Sequence, residues 1–279
     1  MDLIYHEANR FGNIGAWARL PSPKRLRTMF KNPEMRTFYV SAAGSPREER
    51  LLSHLRSVGI VGEAVNAVFP EGNSPWSHRY DNDRRVREVG YPLRRGEVGC
   101  FLSHIDAWER VAGMAGGCAL VLEDDAELLP GSVDQLGQAA TLMEGLPLVA
   151  RLVTVPCRPG RPWRTLAGGG SLVRTCRPTY LTVAYLITPE AARKLLANAV
   201  SFWTPVDAYM SQEWHHGCRM LAFRPEIALH ADEGASTIGA RPKVAMSWTA
   251  RVRREWQRTK EFLLGLAEER KARAELGLD

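Results

Sequence analysis

The sequence predicts an α/β protein built as a mostly parallel sheet flanked by helices, and three observations carry that prediction. Thr37-Phe38-Tyr39-Val40 reads as a strand, followed at once by a small polar turn and a well-capped helix. Cys118-Ala119-Leu120-Val121-Leu122 is an unbroken apolar run of strand length, the pattern of a strand buried on both faces. Strand-like and helix-like segments then alternate to the end of the chain, which favours helices layered on a sheet.

The elements follow in order. Residues 1–35 are interrupted by Pro21, Pro23 and Pro33 and read as an N-terminal extension. After the first strand, Ser45 is a suitable N-cap, with Pro46 at the first helical position and Glu48 placed to complete a capping box. Leu51, Leu55 and Val58 share one face of that helix, and Gly59 closes it. Residues 70–96, rich in Gly, Pro, Asp and Arg, read as loop. A helix is predicted from about Gly96-Glu97, with Phe101, Ile105, Trp108 and Ala112 on its apolar side. Further strands are predicted over 148–155, 179–187 and 221–223, and helices over 189–199, 206–214 and 244–276. The domain reading is therefore an extension (1–35), a catalytic α/β domain (36–240) and a basic C-terminal helical segment (241–279).

With 45% hydrophobic and 24% charged residues, the composition is that of an ordinary globular protein. No run approaches the roughly 20 apolar residues of a membrane span, and Met1–Glu7 lacks the features of a signal peptide. A soluble, cytoplasmic protein is expected on these grounds. Five scattered cysteines without a CxxC pair predict reduced thiols rather than a zinc knuckle or a disulfide framework. The net charge of +6 suits acidic partners. Because the excess lies mainly near the two ends, no nucleic-acid partner is expected.

Glu123-Asp124-Asp125 directly follows the apolar run, at the carboxyl edge of the sheet where open α/β folds bind ligands. Adjacent carboxylates repel, so they need a cation or hydrogen-bond donors to stay ionised together. Mg²⁺ or Mn²⁺ fits, since hard cations prefer carboxylate oxygens. Glu123 and Asp125 can point the same way if the strand continues through them. The alternative is a solvated turn whose acids cap the next element.

The run Arg95-Gly96-Glu97-Val98-Gly99-Cys100-Phe101-Leu102-Ser103-His104-Ile105-Asp106-Ala107-Trp108, with Ala119-Leu120-Val121-Leu122-Glu123-Asp124-Asp125-Ala126 after it, closely resembles glycosyltransferase family 25. Weaker likeness extends to Tyr185-Leu186-Ile187-Thr188, Pro205-Val206-Asp207 and Ser236-Thr237-Ile238, so that it touches residues 37–240. The resemblance implies a GT-A-like fold, a UDP-sugar donor (most often UDP-galactose), inversion at the anomeric carbon and a lipooligosaccharide or other surface-glycan acceptor. Glu123-Asp124-Asp125 then looks like the family's form of the D-x-D motif, with Asp125 the leading candidate to hold the metal and Glu123 to assist it. His230 either completes the metal site or is a partly buried polar histidine. Two departures stand out: only Arg47 and Arg50 supply cations after the first strand, and Thr182-Val183-Ala184 replaces the usual glycine before Tyr185.

Asp207 is the leading candidate for the base that deprotonates the acceptor, against a helix N-cap. Asp232 and Glu233 are further candidates for metal ligand or base. Glu97 either contacts a sugar or stabilises a helix N-terminus. Asp124, Arg47, Arg50 and His104 are grouped as donor-binding candidates, with the alternative that Ser103 and His104 pack beneath the nucleotide loop. Arg251–Lys260 interleaves bases with Trp256, which suits peripheral contact with an anionic bilayer; a homodimer-forming or core-packing helix is the other reading. Other UDP-sugars, or a non-catalytic carbohydrate-binding protein, are the alternative functions.

Overall fold

A computed structural model describes residues 35–72, 77–175, 177–231 and 248–278. The N-terminal extension, Cys176, and Asp232, Glu233 and Ser236-Thr237-Ile238 lie outside the described residues. The central sheet is assembled from β1 (Arg36–Ser41), β2 (Glu63–Asn66), β3 (Ala119–Glu123), β5 (Leu148–Arg151), β6 (Gly160–Thr165), β7 (Ser171–Thr175), β8 (Ala184–Ile187) and β9 (Arg219–Arg224). Their order is β2-β1-β3-β8-β5-β9-β7-β6. β8 is antiparallel to both its neighbours, as is β7, while the other pairs are parallel. All strands except these two therefore run one way, and the sheet is mostly parallel. A separate two-stranded ladder joins β4 (Ala126–Leu128) to β10 (Ala228–His230).

Side chains alternate along each strand, and this divides the core into two layers. Tyr39, Leu120, Leu122, Ala184, Leu186, Leu148 and Leu221 face one layer, packed by α1 (Pro46–Ser57) and α4 (Ser132–Met143). Phe38, Val121, Tyr185, Ile187, Val149 and Met220 face the other. There they meet α3 (Arg95–Ala112), α5 (Pro189–Asn198) and α6 (Val206–Met210). α1 starts as its sequence predicts: the Ser45 hydroxyl accepts from Glu48 N at 3.1 Å. The reciprocal bond of the capping box shifts by one residue, with the Glu48 carboxylate accepting from Gly44 N.

Several expectations are corrected. The loop expected over 70–96 contains α2 (Asn82–Val89), capped by Asp81 and closed by Gly90 at φ 94°. Its only buried residue is Arg85, so its signal lies in its caps and not in apolar periodicity. The helix expected over 206–214 breaks between α6 and α7 (Glu213–His216). There Ser211 and Gln212 close the end of α6 with bonds three residues back, and the Ser211 hydroxyl donates to Thr179 O at 2.7 Å. The strands over 148–155 and 179–187 shrink to β5 and β8; Leu181, at φ 83°, turns the chain just before β8. α4 and the β6–β7 hairpin had no sequence expectation. Among the described residues no disulfide forms, and Cys118 and Cys218 are buried.

The C-terminal helix, α8 (Trp248–Leu276), is fastened by buried charge. Arg174 bonds Glu269 at 2.9 Å and also Glu213. Arg219 bonds Glu213 at 3.4 Å, Glu268 at 2.5 Å and Glu275 at 2.7 Å. Both arginines are nearly inaccessible to solvent, but they share Glu213, Glu269 also pairs with Arg273, and Glu275 is half-exposed. Arg219→Ala leaves Glu213 with Arg174 but takes the main partner of Glu268 and Glu275, and should cost about 1–3 kcal/mol. Urea unfolding checks the loss, and limited proteolysis should show cleavage within 248–276 appearing first.

Candidate functional site

The carboxylates emerge where β3 ends. The strand stops at Glu123, and Asp124-Asp125 form the turn into β4. The three side chains therefore diverge, because no continuous strand keeps Glu123 and Asp125 on one side. Asp124 turns to β1 and α1, where Ser41 Oγ lies at 3.4 Å and Arg47 Nη1 at 3.5 Å. Asp125 turns to β10, whose pairing sets His230 opposite Ala126. His230 Nε2 sits 3.1 Å from Asp125 Oδ2, and Arg47 Nη1 lies 3.9 Å from the same oxygen. The other oxygen, Asp125 Oδ1, is buried with no hydrogen-bond partner among the described residues. Beside these groups lies a cleft of about 180 Å³ lined by Arg50, His54, Asp124, Asp125, Glu127 and Ala231.

Glu123 is held from beneath by α3, whose local sequence explains its position. At Gly99 a Cβ would run into the Val68 carbonyl, so the helix approaches the segment after β2 only because the residue is glycine. Ser103 Oγ fixes that approach, accepting from Val68 N at 2.8 Å and donating to Gly99 O at 2.9 Å. One residue on, His104 is completely buried, with Nδ1 2.8 Å from Tyr185 Oη and Nε2 3.3 Å from Glu123 Oε1.

Hydrogen-bond direction fixes the tautomer of this chain of groups. The Trp108 indole is a donor only, and it donates to Tyr185 Oη at 3.0 Å. Burial raises the Tyr185 phenol well above its ordinary pKa, so the phenol keeps its proton. Among the described residues the proton's acceptor is His104 Nδ1. Nε2 then carries the hydrogen and donates to Glu123. Thr182 Oγ1, at the departure from the usual glycine, donates to the same carboxylate oxygen.

These bonds separate the charges of the cluster. Burial alone would raise the Glu123 pKa, but the bonds from His104 and Thr182 outweigh it and hold the carboxyl below the usual range. Burial raises Asp125, and the neighbouring charge of Glu123 adds to the rise. Burial also raises Asp124, against the opposing charge of Arg47. Cys100 completes the neighbourhood, its ligand atom and those of His104 and Glu123 all lying within 4.8 Å of one another. Burial pushes its thiol well up, reinforced by Glu123, Asp207 and Asp125. Because His104 Nε2 carries its hydrogen toward Glu123, this group does not offer three free ligand atoms, while Asp125 and His230 lie together on the side facing β10.

Of the other sequence candidates, Asp207 lies in the first turn of α6, whose N-cap is Pro205 instead, and its charge is felt at Cys100 beside the cluster. Its side chain also accepts from Ala208 N at 2.7 Å. Arg47 reaches both aspartates and Arg50 lines the cleft. Glu97 is brought elsewhere: its carboxylate accepts from Arg94 N at 2.8 Å in a capping box at the start of α3. Seven residues of helix put it roughly 10 Å from His104 along the axis.

Sequence reasoning missed the residues that act on these groups from behind. Arg151, fully buried, donates to Asp207 O at 2.9 Å and to Ser211 Oγ at 3.2 Å. Burial lowers its pKa to about 10. A lone arginine inside Leu148-Val149-Ala150-Arg151-Leu152-Val153 was the available signal. Ser41 gave none of its own, while Thr182, Tyr185 and Trp108 stood out only as parts of the motif segments, since their roles depend on contacts distant in sequence.

The sheet and the carboxylates that leave β3 beside a cleft define a GT-A-like α/β protein. A family model described as glycosyltransferase family 25 (LPS biosynthesis protein) matches residues 35–141. The resemblance to that family therefore holds across β1 to α4, including Glu123-Asp124-Asp125. The chain is 30% identical over 190 residues to a Homo sapiens protein named inactive glycosyltransferase 25 family member 3, an alignment covering 62% of this chain and 30% of that protein. It is 32% identical over 127 residues to Homo sapiens procollagen galactosyltransferase 2, covering 43% and 20%. To the procollagen lysyl hydroxylase and glycosyltransferase of Acanthamoeba polyphaga mimivirus it is 26% identical over 205 residues, covering 67% and 22%. The chain thus spans less than a third of the length of these relatives.

Two outcomes follow from the electrostatics. A carboxyl whose pKa is raised on folding stabilises the protein below its unfolded pKa, and that stability is lost as pH rises through the folded value. At neutral pH without metal, ionised Asp125 thus opposes folding. Asp125→Asn should raise Tm in EDTA by about 2–4 °C and abolish stabilisation by Mn²⁺, both read by calorimetry. Tyr185→Phe strips His104 Nδ1 and the Trp108 indole of their partner and should cost about 1–3 kcal/mol in urea unfolding.

Proposed function

We propose that this chain is a metal-assisted glycosyltransferase that moves a sugar, galactose foremost, from a UDP-sugar to a surface-glycan acceptor with inversion. The observation that carries this reading is Asp125 Oδ1, a buried oxygen without a hydrogen-bond partner at the lip of a cleft. Such an atom costs folding free energy unless something coordinates it. Asp125, Glu123 and His230 are the residues that would hold Mn²⁺ or Mg²⁺. The bound cation would offset the negative charge that builds on a departing nucleoside diphosphate.

The remaining roles fall to the chain's own groups. Arg47 and Arg50 offer guanidinium groups to the diphosphate oxygens. Asp207 is the candidate to take the proton from the acceptor hydroxyl as its oxygen bonds the anomeric carbon and the bond to the diphosphate breaks. Arg151 orders the backbone from which Asp207 projects. Trp108, Tyr185 and His104 keep Glu123 oriented and ionised. Support for galactose comes from the name of procollagen galactosyltransferase 2, and support for a lipopolysaccharide-type acceptor from the family's description.

A non-catalytic sugar-binding role is the second reading, favoured by the relatives that are named inactive. The intact carboxylate cluster argues against it, because clustered like charge is costly to retain without use.

Purified protein incubated with each common UDP-sugar, with and without Mn²⁺, should release UDP slowly from one donor. Asp125→Asn should reduce that release by 10²-fold or more, the order expected when a main electrostatic contact is lost. No release from any donor, with no thermal shift by UDP and Mn²⁺, would overturn the transferase reading in favour of the binding one.

A further inference from the structure

The ion pairs that fasten α8 also decide which of its faces remains outside. Glu268, Glu269, Ala272, Glu275 and Leu276 point to the protein, with Ala272 and Leu276 buried. On the opposite side Trp248, Val252, Trp256, Phe262, Leu263 and Leu266 are 75, 60, 69, 51, 59 and 47% exposed. At 3.6 residues per turn these six side chains fall within an arc of about 120°. They line one mainly apolar face along Trp248–Leu266, roughly 28 Å at 1.5 Å per residue, with Glu255 and Thr259 inside the same arc.

The edges of this face are basic. On the same wheel Arg251 and Arg258 flank one side and Lys260 the other, next to Arg253, whose guanidinium donates to Arg87 O at 3.0 Å. Glu255 is the only acid between Trp248 and Lys260, against five Lys and Arg, and it pairs with Arg258 at 3.1 Å. An apolar face with two tryptophans between basic margins is the pattern of a helix lying in the plane of an anionic membrane. No helix among the described residues is long and apolar enough to cross a bilayer, so this face suits lying on one.

We propose that the outer face of α8 docks the protein onto an anionic lipid surface. The tryptophan and leucine side chains enter the headgroup boundary, while the arginine and lysine margins meet lipid phosphates. A second copy of the chain is a poorer occupant, since pairing two such helices would bring their basic margins together with only Glu255 on each to offset them. The proposal stands independently of the transfer reaction.

The test uses the full chain and flotation with vesicles of phosphatidylcholine alone or mixed with phosphatidylglycerol. The protein should float with the mixed vesicles at least tenfold better than with neutral ones, and added NaCl should release it. Trp256→Ser with Phe262→Ser, both at exposed positions, should weaken flotation by at least tenfold with an unchanged melting temperature. Arg251→Ala with Lys260→Ala should weaken it about fivefold per charge removed, on the anionic vesicles only. Absence of flotation, or equal flotation with both lipids, overturns the proposal. So does a concentration-dependent dimer that Trp256→Ser dissociates, which would assign the face to a second copy. UDP release by the same variants separates a failure here from a failure of the transferase reading.

Discussion

Three consecutive carboxylates leave the end of a buried strand, and their mutual repulsion governs much of what surrounds them. The backbone meets this by sending each acid toward a different element: Asp124 to β1 and α1, Asp125 to β10, Glu123 down onto α3. Each receives donors from an element that is itself anchored in one of the two core layers. The arrangement still leaves one oxygen of Asp125 unmatched and two of the three pKa values raised. Such residual imbalance is typical of sites shaped for a ligand, where stability is given up locally.

Directionality gives Glu123 a different character from its neighbours. An indole that can only donate, a phenol that burial keeps protonated and an imidazole left with one tautomer make a sequence of bonds running one way. It ends on a carboxylate that these bonds hold below its usual range, whereas burial pushes both neighbours up. The same helix that supplies the imidazole is pressed against the segment after β2 by Gly99 and Ser103. Packing on one side of α3 and charge placement on the other are thus consequences of one helix position.

Much of this was legible in the sequence. The apolar run into Glu123-Asp124-Asp125, the Ser45 cap and the spacing of Phe101, Ile105 and Trp108 are local patterns, and each marks an element that forms. His230 was one candidate ligand among several, and its closeness to Asp125 comes from the β4–β10 pairing, which no local pattern reveals. Local patterns fail where the determining partner is distant in sequence. α2 carries its information in Asp81 and Gly90 rather than in an apolar face. The break after α6 depends on Thr179, and the tautomer of His104 on Tyr185 across the sheet. Glu97 shows the opposite case: it lies within the most distinctive motif of the chain, yet its carboxylate is engaged in starting a helix.

The order of strands has a consequence for how the chain acquires this structure during synthesis. β8 lies between β3 and β5, so the edge of β3 facing it has no partner until residues 184–187 have left the ribosome. His230 follows later still. For that interval the nascent chain carries a wholly apolar strand with one open edge, the feature most prone to pairing with other chains. The acids at its tip would then do a second service, since charge at the end of such a strand discourages stacking with a copy of itself.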